Sequence, residues 1–214
     1  MIPPTGNSLP VDRVQRNSRT PFQTTADRLG AGRFGLTLFL ISLGALFAAT
    51  LVAFLVLRFQ AGERWPATLP AVPWILWLST AVLIAGSGTI HFAVVMYQRD
   101  QVGRAIALVG TTGLLGVLFV LIQAVAWFQW HSDVASLWNQ NGVPRVAAAG
   151  FYMLTGIHAV HVVGGLVAVG VVLLMAAKVG ARHVSRGIIQ GCAMYWHFLD
   201  VVWIILLLVM VFAL

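Results

Sequence analysis

The chain has 214 residues, 59% of them hydrophobic and only 9% charged, with a formal net charge of +7. A soluble domain carries about a quarter of its residues as Asp, Glu, Lys and Arg, so this composition excludes an ordinary water-soluble fold and points to a bilayer as solvent. The single cysteine, Cys192, excludes an internal disulfide and a cysteine-rich metal site, and reads as a small buried hydrophobe.

Residues 1–33 stand apart from the rest, with prolines, small polar residues and the arginines Arg13, Arg16, Arg19, Arg28 and Arg33. The stretch itself contains no apolar run, which argues against a secretory signal, and Asp12 and Asp27 argue against a transit peptide. This stretch is expected to be a flexible aqueous arm. The remaining 34–214 reads as one transmembrane domain, an all-α bundle of five helices over about 34–57, 73–97, 105–130, 148–177 and 188–213. Each segment exceeds the ~20 residues that cross about 30 Å of hydrocarbon as a helix. Pro70 and Pro73 precede the second segment, where proline suits a helix entrance. The stretch HSDVASLWNQNGVPR, residues 131–145, is expected as a polar loop between the third and fourth.

Orientation follows from the basic residues. The arm, the loop with Arg99 and Arg104, and the loop with Lys178, Arg182 and Arg186 fall on one side, leaving Arg58, Arg64 and Arg145 on the other. The amino terminus is therefore expected in the cytoplasm and the carboxyl terminus outside. Basic charge here sets topology and meets anionic headgroups, so nucleic acid is not called for.

Ionisable groups inside the apolar segments are the informative ones, because an Asp near a helix centre costs about 2.5–3.5 kcal/mol in a bilayer. The fourth segment carries Thr155, His158 and His161 at intervals of three, with Gly165 and Ala168 continuing that side. The fifth carries His197 and Asp200, also three apart. At 1.5 Å per residue both sets lie about 13–20 Å from their points of entry, so they are expected to meet near the midplane. Three readings compete. The first is a buried structural network of Thr155, His158, His161, His197 and Asp200 that fixes how the last two helices pack. The second is haem ligation, which needs opposed histidines with room for a flat macrocycle. The third is a proton relay, which needs a chain of titratable groups reaching a surface.

Outside this cluster, His91 in the second segment lies nearer the cytoplasmic surface, and Gln123 in the third is expected to donate between helices. The run Gly86-Ser87-Gly88 reads as close helix packing and not as a phosphate loop, since no strand precedes it. Trp74, Trp77, Trp127, Trp130 and Trp138 gather near the outer surface, as an aromatic belt would. No serine, cysteine or carboxylate pair has the setting of an active site.

Two stretches carry a family resemblance. GFYMLTGIHAVHVVGG, residues 150–165, and AMYWHFLDVVW, residues 193–203, resemble the signatures of subunit III of haem-copper oxidases, in the same order and on the corresponding helices. The resemblance covers about residues 34–214 and matches the five-helix prokaryotic type. It implies a non-catalytic accessory subunit of a respiratory oxidase that reduces oxygen to water, in a bacterial plasma membrane. It further implies oxidase subunits I and II as partners, with a small subunit IV or a respiratory supercomplex beyond them. Haem and copper are then expected in the partners and no cofactor in this chain, apart from bound phospholipid. A companion of a quinol oxidase or of a nitric oxide reductase is the alternative. The chain departs from the family where it has Ser42-Leu43 in place of Ser-Glu, and Ala126 in place of a glutamate three residues after Gln123. Losing both carboxylates puts in doubt a proton-antenna role for the subunit's own acids.

Overall fold

A computed structural model describes residues 25–62, 73–141 and 145–213. Among them the chain is helical throughout, with α1 over Thr25–Ala61, α2 over Ile75–Gln98, α3 over Val102–Asn141, α4 over Arg145–Val179 and α5 over Arg186–Ala213. All 5 helices are long and apolar enough to cross a membrane. Residues 1–24 of the expected arm, with Arg64 and Pro70, lie outside the described residues.

Two boundaries differ from the sequence reading. Helix α1 begins at Thr25, so the last part of the stretch read as an aqueous arm is helical. Most of the expected loop 131–145 is helix as well, because α3 runs on to Asn141 and α4 starts at Arg145. Residues 142–144 lie outside the described residues. A helix of 40 residues spans about 60 Å, twice the hydrocarbon thickness, so α3 projects beyond the membrane. Its projecting turns are held by packing: Trp130 and Val134 are buried in one cluster with Ala148 and Phe151 of α4. That contact overrides the turn-forming residues in the stretch.

Helices α2 and α3 form a tight antiparallel hairpin. Its turn places Asp100 at φ 59, a left-handed conformation that Asp tolerates better than most residues, and Gln101 N–H closes the end of α2 by donating to Met96 O at 3.0 Å. Helix α5 is the most enclosed of the spans and packs against α1, α2 and α4. Helix α1 rests on α5 and, less, on α4.

Burying apolar surface gives little drive between helices already in lipid, so close packing and hydrogen bonds must hold the bundle. The centre of that packing is Trp196 of α5, 1% exposed. Its indole sits in a socket of glycines from three helices: a Cβ added at Gly116 of α3 would stand 2.6 Å from the ring, at Gly165 of α4 3.3 Å, and at Gly86 of α2 3.4 Å. At Gly116 only a residue without a side chain admits the ring, while a methyl group would crowd it at Gly165 and merely touch it at Gly86. Cys192 is buried and free in the adjoining apolar cluster. The tryptophans of the expected belt divide: Trp74 and Trp77 are exposed, whereas Trp130 is 0% exposed and stacks on Phe151 with ring centres 4.2 Å apart. Trp130 is a core residue and not part of a belt. The Trp138 side chain lies outside what is described.

Candidate functional site

The polar residues singled out from the sequence fall into two groups, not one. On α4, Thr155 Oγ1 donates to its own helix, to Phe151 O at 2.7 Å, and so needs no partner from another helix. His161 also bonds within α4, its Nδ1 standing 2.7 Å from Ile157 O. A carbonyl can only accept, so this contact fixes the imidazole proton on Nδ1. His158 is wholly buried, and among the described residues neither of its ring nitrogens has a hydrogen-bond partner. Aromatic rings surround it instead, with centres 5.1 Å away at Trp203, 6.0 Å at Phe119 and 6.2 Å at Phe47.

On α5, His197 turns toward α2. Its Nδ1 lies 2.6 Å from Ser87 Oγ, a hydrogen bond in which either group can supply the proton. The same nitrogen is 3.8 Å from Asp200 Oδ2 on the next turn, and the His197 ring lies 6.1 Å from that of His91. Asp200 is 6% exposed. Ser87 also faces its carboxylate, yet among the described residues neither carboxylate oxygen meets hydrogen-bond geometry.

The expected meeting of His158 and His161 with His197 and Asp200 therefore does not occur through side-chain hydrogen bonds, since His158 and Asp200 make none. The reason is azimuth, not depth. Tyr195, Trp196 and Leu199 are the α5 residues packed on Gly165 of α4, and Tyr195 Oη donates to His161 O at 2.9 Å. His197 lies roughly 200° around the helix from Tyr195, so it points away from α4.

Helix α2 is the element whose importance spacing alone did not bring out. Thr80 Oγ1 accepts from Trp203 Nε1 at 2.9 Å, one helical heptad from Ser87, giving two clasps along the α2–α5 seam. Gln123 Nε2 donates to Ser79 Oγ at 3.4 Å, the expected interhelical bond, although its Oε1 is left without a partner. Thr89 and Thr112 share a 2.8 Å bond between α2 and α3. Four hydroxyl side chains in LSTAVLIAGSGT, two facing α5 and two facing α3, were the legible signal for these contacts of α2. The run Gly86-Ser87-Gly88 divides its work, with Gly86 beside Trp196 and Ser87 on His197.

No porphyrin fits at His158, because aromatic rings occupy the space around it. Among the described residues there is also no group of three or more His, Cys, Asp or Glu side chains placed to hold a metal ion. What the geometry provides is adhesion between helices: hydroxyl–imidazole, hydroxyl–indole and hydroxyl–amide bonds around an aromatic centre.

Comparison with known proteins adds the following. The family profile described as cytochrome c oxidase subunit III matches residues 18–213. The cytochrome c oxidase subunit 3 of Synechocystis sp. is 29% identical over 81% of this chain and 72% of its own length. That of Thermostichus vulcanus is 30% identical over 80% of this chain and 82% of its own. The cytochrome bo(3) ubiquinol oxidase subunit 3 of Pseudomonas aeruginosa is 30% identical over 80% and 79%. The match to the Rattus norvegicus subunit 3 covers 81% of this chain but only 66% of that relative.

Proposed function

The chain belongs to the cytochrome c oxidase subunit III family, and from that premise we propose that it serves as a non-catalytic accessory subunit of a respiratory haem-copper terminal oxidase. The observation that carries this reading is a family match running through all five helices. Oxygen reduction belongs to partner subunits I and II, which hold haem and copper. A small subunit IV or a supercomplex forms the wider assembly. The present chain stabilises subunit I and supports proton uptake, and it has no active site of its own. Its place is the plasma membrane of a bacterium, with the amino terminus in the cytoplasm, as the distribution of Arg and Lys favours.

Phospholipid belongs in the same picture. An open groove of about 490 Å³ between α1, α4 and α5 is lined by Leu36, Phe39, Gly164, Ala168, Cys192 and Tyr195. Its apolar lining suits an acyl chain.

A second reading, a subunit of a quinol-oxidising member, is favoured by the likeness to the Pseudomonas aeruginosa ubiquinol oxidase subunit. Purification of the tagged chain from its native membrane in mild detergent tests both. A co-purifying haem-copper subunit supports the proposal, and turnover with reduced cytochrome c or with a quinol separates the readings. Isolation as a stable lone protein contradicts both.

A further inference from the structure

Among the described residues, nothing closes off the polar cluster at the α2–α5 seam. His91 is exposed on α2, and the ring neighbours around it are Phe92 and His197. The His197 side chain is 42% exposed. At 1.5 Å per residue His91 lies about 10 Å from the Gln98 end of its helix, and His197 about 16 Å from the Arg186 end of α5. These depths are inside the hydrocarbon, where lipid tails offer no hydrogen bonds and an unmet polar group costs several kcal/mol. Polar side chains at such depth face the interior of a bundle or a partner, not lipid.

The surface beside them is shaped for close approach. Ala81, Ala85 and Gly88 follow one another on the outward side of α2, and a Cβ at Gly88 would meet nothing within 4 Å. Small residues in a row let a second helix come near enough for side-chain hydrogen bonds. Neither feature alone says what covers this face. Together they call for a helix with a polar group level with the histidines.

We propose that the α2–α5 face around His91 and His197 docks against a membrane-spanning helix of a partner oxidase subunit that presents a hydrogen-bonding side chain to these two rings. This rests on the accessory-subunit reading above and adds to it which face docks and what chemistry the partner brings. Adjacent imidazoles can each donate or accept, so the partner group is a hydroxyl, amide or carboxyl.

Photocrosslinking in the assembled complex from native membranes tests the assignment. The full chain carries benzoylphenylalanine either at Ile84, on the same side of α2 as His91, or at Val167, on the outer side of α4; both positions are exposed. The expected result is an adduct between position 84 and a haem-bearing oxidase subunit, with none from position 167. His91→Leu is expected to weaken retention of the chain in the complex about tenfold, while His91→Gln preserves it. Co-purification of the oxidase without an adduct from 84, or an adduct of the chain with a second copy of itself from 84, overturns the docking face and leaves the functional reading intact. An adduct from 84 to an identified membrane protein outside any oxidase supports the docking face and overturns that reading instead.

Discussion

Ser87 of α2 and His197 of α5 share a 2.6 Å hydrogen bond at the half-buried seam between their helices. Few residues do more to tie α2 to α5, because lipid supplies no competing partner for either group. Ser87→Ala is expected to destabilise the bundle by about 0.6–2 kcal/mol, the range found for hydrogen bonds between membrane helices. Reversible unfolding in SDS–detergent mixtures measures this. A double-mutant cycle with His197→Ala should return a coupling of similar size; additive losses would show that the contact carries no energy of its own.

The second clasp has a sharper signature. Thr80→Val removes the acceptor for Trp203 Nε1 and leaves a buried indole N–H unmet, at a cost of about 1–3 kcal/mol. Thr80→Ser keeps the acceptor and should stay close to the parent in the same unfolding assay. Equal losses from both substitutions would point to packing by the threonine methyl group instead.

The glycine socket sets a steric test. A methyl group at Gly116 would stand 2.6 Å from Trp196 and 2.8 Å from Leu166; Leu166 is partly buried and can turn aside, whereas the Trp196 ring is 1% exposed. Gly116→Ala is expected to cost about 1–3 kcal/mol through overpacking. Trp196→Phe in the same chain should recover part of that loss. Failure of the smaller ring to recover any stability would mean that the clash is not with the indole.

His158 gives the opposite expectation. It is fully buried without a hydrogen bond to either nitrogen, so His158→Phe removes two unmet polar atoms and adds a ring to an aromatic cage. Stability should be unchanged or higher, with oxidase turnover unaffected. A loss of more than about 2 kcal/mol would contradict this, showing either a buried water on the imidazole or a cage with no room for the larger ring.

The helical architecture was legible because bilayer length and apolar runs leave few alternatives. Helix ends were less so: α3 continues to Asn141 because Trp130 and Val134 find a buried surface on α4, which local turn residues could not reveal. For the polar cluster, spacing gave which residues share a helix face and at what depth. It could not give the rotation of α5, and that rotation sends Tyr195 to α4 while His197 and Asp200 go toward α2. Gln123 was readable as an interhelical donor, whereas its partner Ser79 was one hydroxyl among several in α2.

A non-catalytic subunit carries no haem of its own, and its removal from the complex shows where the haem resides. The chain should be stripped from the purified complex with a stronger detergent, the two fractions separated, and the reduced-minus-oxidised spectrum recorded for each. All haem absorbance should stay with the remaining subunits, and the released chain should be spectrally silent. A haem band travelling with the released chain, and lost on His158→Phe, would contradict the non-catalytic role.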